Sequence, residues 1–183
     1  AADSMNIKFS PYKIITLPNG LKLAFLGLLQ INQNGIPDSH PDNTKGFTFR
    51  SPFETAPEYL YLKDQSDIFI ILTHLGFEND VRLAETMPAG IDLIIGGHSH
   101  TKVAKEQVFN GVLITQAENK LKYGTLITLT VKSDGSLQRK MELIDIRNSK
   151  NEKSSDAEAI TCFSTGLSLY LTTIIRIVPF SFF

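Results

Sequence analysis

Two short runs, DIFIILT at 67–73 and IDLII at 91–95, are almost wholly aliphatic, and histidine follows each within a few residues. Isoleucine-rich runs of this length, bounded by polar residues, read as strands buried on both faces, as in a parallel sheet. Between them, NDVRLAETM at 79–87 sets Val81, Leu83, Ala84 and Met87 partly at helical spacing. Asn79 or Asp80 is the expected N-cap of that helix, and Pro88-Ala89-Gly90 stops it. Strand, helix and strand in succession predict a βαβ unit with a right-handed crossover.

The rest of the chain fits one α/β domain. Residues 12–17 and 21–29 are apolar runs either side of Pro18-Asn19-Gly20, a hairpin signal because Asn and Gly tolerate positive φ. Residues 30–57, rich in Asn, Pro, Gly, Asp and Ser, read as a long irregular connection. Strands are expected over 111–116, 120–132 and 137–146, with a turn at Ser133-Asp134-Gly135-Ser136. The polar stretch 147–159 reads as a linker. Residues 160–183 are long enough for a membrane helix, but their Ser and Thr hydroxyls, β-branching, Arg176 and Pro179 argue against one.

Composition excludes several functions. Eighteen basic residues against nineteen acidic ones leave a net charge of −1, with no basic field for a nucleic acid polymer. The single cysteine, Cys162, cannot close an internal disulfide, and no Cys/His finger spacing exists. The opening residues carry no basic and apolar pattern of a signal peptide.

Three of the four histidines fall at the carboxyl ends of the two central strands: His74 after DIFIILT, and His98 and His100 after IDLIIGG. Ligands of open α/β sheets bind beyond that edge. Gly96-Gly97 is expected to give the loop unusual dihedrals and close approach, and an extended His98-Ser99-His100 would turn both imidazoles to one side. A lone histidine at a strand end is ordinarily satisfied by local hydrogen bonds. Three converging imidazoles instead suit a divalent metal ion such as zinc or manganese. His40, in a Pro/Asp/Ser loop, reads as a surface histidine.

The segment THLGFENDVRLAETMPAGIDLIIGGHSHT, 73–101, resembles the metal-binding segment of the calcineurin-like metallophosphoesterases. Within them it is most similar to the 5′-nucleotidase, UDP-sugar hydrolase and 2′,3′-cyclic phosphodiesterase group. GGHSHT is the specific part, HLG adds to it, and the resemblance extends over roughly 12–146. It implies mixed β-sheets flanked by helices in an α+β sandwich, with residues 1–150 forming the C-terminal half of a catalytic domain. Residues 151–183 form a linker and hydrophobic tail unlike the family.

The resemblance further implies a two-metal phosphohydrolase acting on small nucleotides or related phosphate esters, exported to the periplasm or cell surface. His74 and His98 would ligate one ion and His100 the other. The family's upstream Asp-x-His, Gly-Asp and Gly-Asn-His motifs do not occur in this sequence, nor does its C-terminal nucleotide-binding domain. The chain is therefore expected to be inactive alone and to self-associate through an uncovered sheet edge. The rival expectations are a mononuclear three-histidine site and a non-catalytic remnant with vestigial ligands.

Overall fold

The computed structural model describes residues 10–147, together with the backbone of two later strands, Thr161–Cys162 and Thr173–Val178. Gly20 takes φ +89°, in the left-handed region that glycine enters without penalty. That turn folds β1 (Tyr12–Thr16) antiparallel onto β2 (Lys22–Leu29), with Tyr12 opposite Leu26 and Thr16 opposite Lys22. The hairpin stands as the Pro-Asn-Gly signal predicts.

The two aliphatic runs become β3 (Ile68–His74) and β4 (Leu93–Ile95), parallel to each other and to β2. A short strand, β5 (Gln107–Phe109), turns back antiparallel onto β6 (Val112–Thr115), which lies parallel to β4. The six-stranded order is β1-β2-β3-β4-β6-β5. Successive side chains of a strand face opposite ways, so each central strand feeds two cores. Phe69, Ile71 and Ile94 pack with Leu83, Ala84 and Leu62 on the helical side. Ile68, Ile70, Leu93 and Ile95 pack with Ile127, Leu129 and Met141 on the other. Burying each such side chain is worth roughly 1.5–3 kcal/mol.

The second sheet supplies that other side. β7 (Tyr123–Val131) and β8 (Leu137–Asp145) are antiparallel around the expected turn, with Gly135 at φ +79°. Along the free edge of β7 runs β10 (Thr173–Val178), parallel, with Thr173 opposite Thr125 and Val178 opposite Thr130; β9 (Thr161–Cys162) pairs antiparallel with β10. Both strands come from the hydrophobic tail, and the rest of that tail and most of the linker lie outside the described residues. No helix among the described residues is long and apolar enough to cross a membrane.

The connection 30–57 is less irregular than expected. It holds the short helices α1 (Pro41–Thr44) and α2 (Pro52–Thr55), and a 3₁₀ helix follows at Ala56–Gln65. Proline near the start of each suits a turn whose first N–H groups have no helical partner. The crossover helix α3 (Phe77–Thr86) starts earlier than the sequence predicts. Its N-cap is Gly76, at φ +87°, not Asn79 or Asp80. The cap is tertiary: Ser99 Oγ accepts from the Phe77 N–H at 3.0 Å. Asn79 turns back to the Leu75 carbonyl at 3.0 Å, and Asp80 is fully buried.

Candidate functional site

The parallel pairing of β3 and β4 brings their carboxyl ends side by side. The Gly76 N–H donates to the Gly97 carbonyl at 3.1 Å, tying the two exits together. The glycine pair serves close approach alone. A Cβ on Gly96 would lie 2.2 Å from Asp80 Oδ2, and one on Gly97 would lie 3.2 Å from His74 Nδ1. The left-handed backbone expected of the glycines falls on His98 (φ 80°) and His100 (φ 55°) instead. Non-glycine residues held there cost on the order of 1–3 kcal/mol each and cluster at functional sites. The loop is therefore not extended, and the two imidazoles take different partners.

His98 turns to His74. His98 Nδ1 and His74 Nε2 are 3.3 Å apart, with ring centroids at 4.8 Å and planes at 71°. Asp38 Oδ2, from the 30–57 connection, stands 3.8 Å from His98 Nε2. His100 instead accepts at Nδ1 from Asn119 Nδ2 at 3.2 Å. The structure thus brings together two of the three expected ligands. Among the described residues, no three His, Cys, Asp or Glu side chains gather closely enough to hold one ion. His40 is exposed and accepts from the Asp42 N–H as the N-cap of α1, in keeping with a surface role.

The pair itself fits a metal. Two nitrogen ligands of a tetrahedral ion, each bonded at about 2.0–2.1 Å, stand ~3.3 Å from one another. Burial first, then the nearby imidazoles of His98 and His100, hold the His74 pKa below the usual histidine value, against a smaller pull from Asp38. His74 is accordingly neutral near pH 7, the form that ligates. Its buried Nδ1 has no hydrogen-bond partner, and neither do Thr73 Oγ1, Thr115 Oγ1 or either oxygen of Asp80. Burial pushes the Asp80 carboxyl up to about 7; Thr73 opposes this more weakly, from outside hydrogen-bond geometry.

Beside His98 opens a cleft of about 430 Å³, lined by Gln30, Phe77, Asn79, His98, Ser99 and Thr101 among others. Asp38, Asp80, Gln116 and Asn119 are the neighbours of this edge that the sequence did not reveal. Asp80 reads in the sequence as a helix cap, and the others reach the site only through the fold.

No family model matches the chain. It is similar to the uncharacterized metallophosphoesterase YunD of Bacillus subtilis, 36% identical over 124 residues, covering 67% of this chain and 25% of that protein. A 5′-nucleotidase of Vibrio cholerae is 36% identical over 112 residues, covering 54% of this chain and 20% of that protein. Among solved structures, the 5′-nucleotidase precursor of Thermus thermophilus superposes with a TM-score of 0.61 at 26% identity, covering 75% of this chain and 30% of that one. The chain spans less than a third of the length of each. Its sheet order, its histidine-bearing strand ends and these likenesses agree: the chain belongs to the calcineurin-like metallophosphoesterases, in the group of the 5′-nucleotidases, and corresponds to part of their length.

Proposed function

We propose that this chain is part of a metal-dependent phosphohydrolase that acts on nucleotides or related small phosphate esters outside the cytoplasm. Residues 1–150 contribute one half of its catalytic domain, and 151–183 are a linker and tail. The observation that carries the reading is the His74–His98 pair, two imidazole nitrogens 3.3 Å apart at the carboxyl ends of adjacent parallel strands. His74 and His98 hold one divalent ion, and His100, with Asn119 on its Nδ1, serves a second position nearby. A bound divalent ion polarises a phosphoryl oxygen and makes a water nucleophile available near neutral pH.

The chain's own residues do the rest. His74 stays unprotonated because it is buried, and Asp38 Oδ2 stands 3.8 Å from His98 Nε2. The cleft beside His98 receives the organic part of the ester, with Phe77 offering an apolar face and Gln30 and Asn79 polar ones. Two gathered imidazoles are too few for a dinuclear centre, so the chain alone binds metal weakly and turns over no substrate.

Zinc and manganese titrations of the full chain test this, alongside hydrolysis of bis-p-nitrophenyl phosphate. The expected result is one weakly held ion, no turnover, and affinity reduced roughly tenfold or more in His74→Ala and His98→Ala. Two ions per chain with turnover would overturn the incomplete site. No binding at all would overturn the metal reading.

A further inference from the structure

Gln116, one residue beyond β6 and 3% exposed, directs its whole amide at the histidine loop. Its Nε2 donates to the Gly97 carbonyl at 2.8 Å. Its Oε1 accepts from Ser99 Oγ at 2.9 Å and from the Thr101 N–H. These three contacts fall on residues 97, 99 and 101, which alternate with His98 and His100. The main chain of Gln116 joins in, accepting from the Val103 N–H at 3.0 Å, while Glu118 N–H donates to the Thr101 carbonyl at 3.1 Å.

Ser99 completes the arrangement. A serine hydroxyl has one proton to give and two lone pairs to accept with. Here it gives its proton to Gln116 and accepts from the Phe77 N–H at 3.0 Å and from Thr101 Oγ1 at 2.8 Å. Every capacity of the hydroxyl is used, so its orientation is fixed. Left-handed backbone at non-glycine residues persists only where the surroundings over-determine it. The bonds on either side of His98 and His100 supply that determination.

We propose that Gln116 is a positioning residue for the metal ligands: by clamping 97, 99 and 101 it holds His98 against His74 and His100 against Asn119. The proposal rests on the metal reading above for its purpose, but the clamp exists in the metal-free chain and is tested there. Outer partners that orient ligands typically carry about 10–100-fold in metal affinity.

The experiment uses the full chain, isotopically labelled and metal-free, as wild type, Gln116→Met, Gln116→Glu and Ser99→Ala. Ile71→Val, in the core and away from the loop, serves as a control of similar stability loss. Two signals are read by NMR: exchange of the Thr101 amide, and the ring nitrogen shifts and titration of each histidine. In Gln116→Met the Thr101 amide exchanges at least about tenfold faster, and the His98 and His100 ring signals move while His40 stays still. Gln116→Glu keeps the acceptor for Thr101 but loses the donor to Gly97, so Thr101 stays protected while His98 shifts. Ser99→Ala moves His98 and loosens the start of α3. If Gln116→Met does not fold, the other two variants decide the matter. Unmoved His98 and His100 signals in the folded variants, or equal movement in Ile71→Val, would overturn the clamp. Zinc affinity is measured in parallel. Absence of binding in wild type defeats the metal reading and leaves the ring signals to judge Gln116; equal binding by wild type and Gln116→Met defeats the clamp.

Discussion

Strand β3 has two ends of opposite character. From Ile68 to Ile71 every side chain is fully buried, apolar and matched by apolar neighbours on both faces. Two and three residues on, Thr73 Oγ1 and His74 Nδ1 are buried with no hydrogen-bond partner, and the nearby Asp80 carboxyl shares that condition. Buried polar groups without partners cost about 1–3 kcal/mol each, so the carboxyl end of the sheet is held at a cost the other end avoids. The apolar stretch stabilises the fold; the polar end spends part of that stability on a geometry suited to a ligand. Substitutions at four positions probe the contrast.

The largest effect is expected from pH. Asp80 titrates at about 7 in the folded chain and near 3.9 when unfolded, so the folded state holds the proton more tightly. Stability is full below the unfolded value and falls as pH rises through 7, by on the order of 4 kcal/mol. Denaturant unfolding of wild type and Asp80→Asn from pH 4 to 8 should show this slope in the first and its loss in the second. Parallel curves would place the unpaired carboxyl elsewhere in the energetics.

Gly96→Ala comes next, at roughly 1–3 kcal/mol, because its methyl would meet Asp80 Oδ2 at 2.2 Å. In an Asp80→Ala background most of that penalty should vanish, a coupling that a double-mutant cycle reads directly. At the apolar end, Ile71→Val should cost about 0.5–1.5 kcal/mol with no pH dependence. A pH-dependent loss there would blur the distinction between the two ends. His40→Ala, on an exposed cap, should change the unfolding free energy by less than about 0.5 kcal/mol.

The apolar half of this contrast was legible in the residues. Isoleucine-rich runs, an Asn-Gly turn and a Pro-Ala-Gly stop are local signals, and they mark β3, β4, the β1–β2 hairpin and the end of α3. β5 escaped because three residues at a sheet edge, QVF, carry no pattern of their own. The start of α3 escaped because its cap is Ser99, 22 residues further on. His74 and His98 were visible as a motif. Their supports were not: Asp38 lies in a connection without periodicity, and Gln116 acts across 15 to 19 residues. Gly96 and Gly97 are needed for close approach and not for the unusual dihedrals that the sequence also suggests. Only the packed Asp80 and His74 side chains separate those two reasons.

Because β3 is apolar on both faces, sliding it by one residue against β2 would exchange its two sets of side chains without exposing either to water. Hydrophobicity thus leaves its alignment nearly degenerate. What breaks the degeneracy is polar and sits at the tips. Asp67 exchanges bonds with Lys22 at one end, at 2.7 and 2.9 Å, and the Gln30 N–H donates to the His74 carbonyl at 3.1 Å at the other. Cohesion and alignment are therefore carried by different residues, and a chain that lost only its tip bonds would keep a sheet while misplacing His74 relative to His98.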